Sequence, residues 1–238
     1  MRFSTVTILA LPVLSAAAET PLDQAKSLFN SFGSYFQKVL PNPSAAYTPD
    51  AAAAKAGGKA VHALRLDDWE ETVRSKNTPG SIEPAQWYIY LTGGNKTCFG
   101  FCGPAEQAWN ETAALWALDP TAPHLGYVNC DAQPVLCNMW AAGPPGLWVM
   151  NVRPRPYESD LHIVHVNVST ASVSSFQEQR KNEAWKGVDK YEGYFHPLDG
   201  QLALYGLAKP LGYLFWVFNV VPNWLFMMVI SFVSRSFL

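Results

Sequence analysis

Residues 127–140 read YVNCDAQPVLCNMW, and Gly143-Pro144-Pro145-Gly146 follows almost at once. Residues 125–128 are a short β pattern that runs into Cys130. At Pro134 the pattern turns helical, because proline's fixed φ suits a first helical turn, and a helix is expected over 134–140. The Gly-Pro-Pro-Gly run forces a turn. Residues 146–152, GLWVMNV, then return as a strand. Upstream, QWYIYLT at 86–92 is aromatic and β-branched, bounded by Pro84 and Gly93, and reads as a buried strand. Cys98 and Cys102 occupy the turn after it, and PAEQAWNETAALWAL at 104–118 reads as a helix stopped by Asp119-Pro120. A short strand at 62–66 precedes a helix for which Asp67 is the expected N-cap, with acids in the first turn. Downstream come a strand at 161–168 and a helix at 171–185. Strands alternating with helices, then an antiparallel hairpin and a final helix, is an α/β order.

The remaining sequence is partly of another kind. The chain has 238 residues, 49% hydrophobic and only 15% charged, with a formal net charge of −2. That balance excludes a disordered chain and gives no basic face for nucleic acid. Residues 1–18 carry one cation, Arg2, then an apolar run and Ala16-Ala17-Ala18, the order of a cleaved secretory signal peptide. Residues 22–40 have the spacing of an amphipathic helix, and 41–60 are a Pro/Ala/Gly-rich linker. No charge occurs between Lys209 and Arg235. Residues 211–233 would rise roughly 35 Å as one helix, against a hydrocarbon core of about 30 Å. One transmembrane helix, kinked at Pro222, is expected there; a hydrophobic hairpin or re-entrant segment bent at Pro222 is the competing reading. The aromatic, Gly/Pro-rich residues 186–210 are a juxtamembrane segment, either a spacer or a surface that docks on a membrane protein. Sequons at Asn95, Asn110 and Asn167 suit a lumenal domain.

In an oxidising lumen four cysteines make two disulfides, and three connectivities are open, of which local pairing is the simplest. The gaps between them fit a zinc knuckle poorly, and neither a metal nor a cofactor is expected. His162 and His165 sit three apart on a strand and point to opposite faces. His62, His124 and His196 are scattered. No Ser/His/Asp motif, phosphate loop or HExxH occurs.

In order and in detail, residues 61–185 resemble the thioredoxin-like superfamily, specifically protein disulfide isomerase-like domains and the transmembrane thioredoxin-related proteins of the endoplasmic reticulum. YVNCDAQPVLCNMW looks like that family's V-D-C-x6-C-x-x-F/Y stretch, which implies a structural bridge between Cys130 and Cys137. Pro145 stands where the family keeps a cis-proline facing the active-site turn. The resemblance implies a central mixed sheet flanked by helices, and makes Cys98 and Cys102 the candidate redox pair. Several residues depart from the pattern. Three residues rather than two separate Cys98 from Cys102, so on the helix alignment Phe99 takes the nucleophile's place. The family's buried acid would lie near Thr92 or Gly93, yet no Asp or Glu occurs between Glu83 and Glu106. Gln107 or a neighbour replaces the helix-kinking proline, and a glycan on Asn95 would shield Cys98.

Two functions follow. The first is a membrane-anchored, lumenal binding or adaptor subunit beside the machinery that translocates, glycosylates or folds new chains. Its partners would be the endoplasmic reticulum membrane, a translocon-type membrane complex and nascent polypeptides. The second is a thiol–disulfide oxidoreductase attacking client disulfides through Cys98 or Cys102.

Overall fold

Trp87, Ile89 and Leu91 point to one side of strand β2, Ala85–Thr92, and Tyr88 and Tyr90 to the other. All five are essentially inaccessible. A strand covered on both faces has no polar side to alternate with, and so QWYIYLT reads as one apolar run. The other strands are β1 Val61–Ala63, β3 His124–Asn129, β4 Gly146–Val152 and β5 Asp160–His165. The sheet order is β1-β3-β2-β4-β5. β1 and β2 run parallel to β3, while β4 is antiparallel to both β2 and β5. This is the mixed α/β thioredoxin-like arrangement. The computed structural model describes residues 61–77 and 83–236; the expected signal peptide, amphipathic helix and linker at 1–60 lie outside the described residues.

Helices cover both faces. Helices α1 Trp69–Arg74 and α3 Pro134–Met139 pack with Trp87, Ile89, Trp148 and Met150, and Trp69 meets Trp140 edge-on at 5.0 Å. Helices α2 Gly103–Ala117 and α4 Val173–Lys181 cover the opposite face, where Trp109 stacks on Tyr90 at 5.2 Å and Phe176 closes the cluster. Arg180 on α4 also donates to Asp119 beyond the end of α2, at 2.6 Å.

Local departures from the sequence reading have visible causes. The cap position of α1 is Asp68, not Asp67; its carboxylate accepts the N–H of Arg65 rather than capping the helix, and Asp67 instead accepts from Lys209. The helix expected over 171–185 divides. Ser172 and Ser175 form a capping box at its start, and Glu183 turns left-handed (φ 46°) before a 3-10 turn at Ala184–Gly187. β5 ends at His165, short of 168.

The C-terminal apolar run is two helices. After the short helix α5, Gln201–Leu204, come α6 Ala208–Val220 and α7 Asn223–Ser236. Pro222 lacks an N–H and pushes Val221 into extended backbone (ψ 123°), so the first helix stops. Among the described residues no single helix is long and apolar enough to cross a membrane. Ala208–Val220 and Trp224–Phe232 meet that test only together, across a bend of 94°. One stripe of the run, Gly212 and Trp216, is buried. A Cβ on Gly212 would stand 2.7 Å from the carbonyl oxygen of Val135 and 3.1 Å from the Cβ of Met139, so α6 lies directly on α3. Trp216, one turn on, is 7% exposed.

Candidate functional site

The sheet register brings the sequence-singled residues together. Leu91 pairs with Gly146. The chain leaving β2 and the chain entering β4 are therefore neighbours, and a Cβ on Gly93 would lie 3.2 Å from Pro144. The Pro144-Pro145 peptide bond is cis. The N–H of Cys130 donates to the carbonyl of Thr92 at 2.8 Å, placing the end of β3 at the same edge. Cys98 is bridged to Cys102, and Cys130 to Cys137. Both bridges and Pro145 thus gather beyond the carboxyl ends of the parallel strands, where open α/β sheets place their sites.

The turn between Cys98 and Cys102 is tightly made. The N–H groups of Cys98 and Gly100 both donate to the Gly94 carbonyl, at 3.1 and 3.3 Å, and Phe101 N–H donates to Cys98 O at 3.0 Å. Phe99 and Gly100 both take left-handed φ, 53° and 76°. This conformation folds the sulfurs inward and the rings outward. Cys98 is 6% exposed and Cys102 0%, whereas Phe99 is 79% and Phe101 67% exposed. Cys102 holds the cap position of α2, and its carbonyl accepts from Glu106 N–H.

Asp131, beside the second bridge, fastens this turn to the rest of the site. Its carboxylate accepts from Thr97 N–H (3.0 Å), Thr97 Oγ1 (2.6 Å) and Lys96 N–H (3.2 Å). Burial opposes its ionisation, but these donors and the Gly94 N–H outweigh that and hold its pKa below the ordinary value. Thus the residue after Cys130 fixes the residue before Cys98.

A carboxylate does stand at the end of β2, supplied by the helix rather than the strand. Glu106, one turn after Cys102, accepts from Thr92 Oγ1 at 3.0 Å and from Tyr127 OH at 2.6 Å. Burial, then the nearby Glu106 charge, raises the Tyr90 phenol above its ordinary pKa and keeps it protonated. A search confined to the strand misses Glu106. The usable signal is its i+4 spacing from Cys102, which returns it to the sheet-facing side of the helix.

The other sequence-predicted positions are dispersed. Asn95 and Asn167 are exposed, and Asn167 Oδ1 accepts from Ser169; Asn110 is half-buried within α2. His162 donates through Nδ1 to Val188 O at 2.8 Å, and His196 Nδ1 accepts Asp199 N–H at 3.0 Å, both structural contacts. Among the described residues no group of three His, Cys, Asp or Glu could hold a metal ion.

Comparison with known proteins gives one family. A family model described as "tRNA hydrolases-like, Thioredoxin-like domain" matches residues 47–218. No curated protein matches the chain. Among solved structures, the J-Trx1 fragment of ERdj5 is similar at 17% identity and TM-score 0.36, over 66% of this chain and 70% of that one. The first thioredoxin domain of mouse protein disulfide-isomerase A4 is similar at 9% identity and TM-score 0.35, over 52% and 74%. The zinc-bound form of human ERp44 is similar at 8% identity and TM-score 0.35, over 52% and 30%.

Proposed function

The chain belongs to the thioredoxin-like domain family of that description, and from this premise we propose that it is a non-redox binding domain of the secretory pathway, attached to the endoplasmic reticulum membrane, whose contact loop is Phe99-Gly100-Phe101. One observation carries the reading. A thiolate must reach a disulfide sulfur to exchange with it. Here Cys98 and Cys102 are buried, and the most exposed groups of the turn are two phenyl rings. Such rings beside a polar rim are the anchors of a protein contact. Exposed Tyr194, Leu204 and Tyr205 in the juxtamembrane segment offer a separate apolar surface to a membrane-complex partner that handles nascent chains. The two disulfides and the expected leader support a lumenal location. A net charge of −2 gives tRNA no electrostatic footing.

The test is a thiol-trapping time course on the folded chain in a glutathione buffer near −180 mV. Cys98 and Cys102 are expected to stay unmodified until the domain unfolds. Rapid equilibration would refute the reading.

A second reading, thiol–disulfide exchange, is favoured by Glu106. Placed one turn from Cys102, it could accept the proton as a Cys102 thiol becomes a thiolate. A Cys98→Ser variant that accumulates mixed disulfides with secretory clients, in a manner abolished by Glu106→Gln, would establish it.

A further inference from the structure

We infer that α6 and α7 attach the protein to one leaflet of the membrane, the leaflet facing the domain, and that the C-terminal end of this sequence lies on the same side as Cys98. The inference rests on the membrane attachment proposed above and deepens it. From Leu211 to Phe218 helix α6 has only apolar residues and one tyrosine, on every side. Only one stripe of it, Gly212 and Trp216, is buried on the domain. Leu214, Phe215, Val217 and Phe218 remain exposed. A helix docked on a water-soluble body normally turns polar residues outward. This one does not, and α7 continues the apolar surface with exposed Trp224, Met227, Met228, Ile230 and Phe232. No charge interrupts it between Lys209 and Arg235. Uncharged aliphatic, aromatic and methionine side chains match the boundary between headgroups and acyl chains.

Length decides between lying in the membrane and crossing it. The docked stripe fixes α6 to α3 as far as Trp216, and Lys209 is tied to Asp67 of the domain at 3.3 Å. Beyond Trp216, α6 has only Val217–Val220, about 6 Å of rise, and α7 adds about 21 Å at nearly a right angle. The free length end to end is therefore about 22 Å, short of the roughly 30 Å a span needs. The family match ends at residue 218, which also places α6 inside the domain rather than after it.

The experiment expresses the full chain with a flexible spacer and an Asn-Ser-Thr acceptor after Leu238, and reads two things from the same cells. Salt-washed membrane pellets report attachment, and an endoglycosidase-sensitive mobility shift of the tail reports its side. A pelleted chain with a glycosylated tail is expected. A pelleted chain whose tail is unglycosylated and cut by protease added to sealed microsomes would overturn the one-leaflet topology while leaving attachment standing. A glycosylated chain released into the soluble lumen overturns attachment, and the inference with it. Glycans on exposed Asn95 and Asn167 report translocation in the same gel. A chain lacking these and the tail glycan overturns the lumenal reading and the inference together.

Discussion

Replacing Asp131 with alanine isolates the clamp that keeps the Cys98–Cys102 turn closed. The substitution removes the acceptor of two backbone N–H groups and one hydroxyl, at 2.6 to 3.2 Å. Hydrogen bonds to an ionised group contribute about 1.5–3 kcal/mol each when sheltered. Asp131 is half-buried and the freed donors at Lys96 and Thr97 regain some water, so about 2 kcal/mol is expected for the set. Because the lost bonds hold one turn, most of that cost falls on local opening. The open population of the turn, and with it the reduction rate of the bridge by dithiothreitol, should rise about 30-fold. Urea titration read by intrinsic tryptophan fluorescence gives the stability change, and timed alkylation with mass analysis gives the reduction rate. The pH dependence supplies an internal check. Asp131 has a depressed pKa in the folded state. Its contribution is therefore fully present above the ordinary Asp value near 3.9 and is lost as pH falls through the depressed folded value. Native and variant proteins should differ at pH 7 and converge in acid below that value. An unchanged reduction rate at pH 7 would refute the idea that a clamped, buried turn makes the bridge inert.

Three further outcomes are expected. Phe99→Ser with Phe101→Ser should leave stability within about 0.5 kcal/mol, since both rings are exposed, yet abolish partner capture in detergent pull-downs; retained capture would move the contact elsewhere. Trp216→Ala should cost about 3 kcal/mol in urea titration of the detergent-solubilised chain, the low end for a large aromatic because one side of α6 faces outward. A loss below about 1 kcal/mol would mean that α6 is not docked on α3. Removing the second bridge by Cys130→Ser and Cys137→Ser, seven apart in sequence, should cost about 2.5 kcal/mol by loop-closure entropy, measured as a shift in the urea midpoint.

The fold was readable wherever side chains obey a simple period. Tyr88 and Tyr90 against Trp87, Ile89 and Leu91 produce the doubly buried strand that QWYIYLT announces, while the bridge from Cys130 to Cys137 and the cis bond at Pro145 followed from the family resemblance. Features made by contacts between distant segments were not readable. Glu106 reaches Thr92 and Tyr127 only because the sheet places β2 beside β3. Asp131 meets Thr97 across 34 positions of sequence. Hydropathy records that residues 211–233 are apolar but not which face of α6 packs, so Gly212 and Trp216 were hidden inside an apparent span. Pro222 marked the break, but nothing in its sequence neighbourhood gives the 94° bend. The start of α1 at Asp68 instead of Asp67, and the division of the last domain helix at Glu183, turn on single backbone angles that neighbouring residues share as options.

The central claim is that the first bridge is a structural one beneath a binding loop. Its most direct test is the equilibrium reduction potential of Cys98/Cys102 in the folded protein, measured against glutathione and dithiothreitol couples. A value below about −300 mV is predicted, as for structural disulfides, and a value near −180 mV, the range of disulfide isomerases, would contradict it.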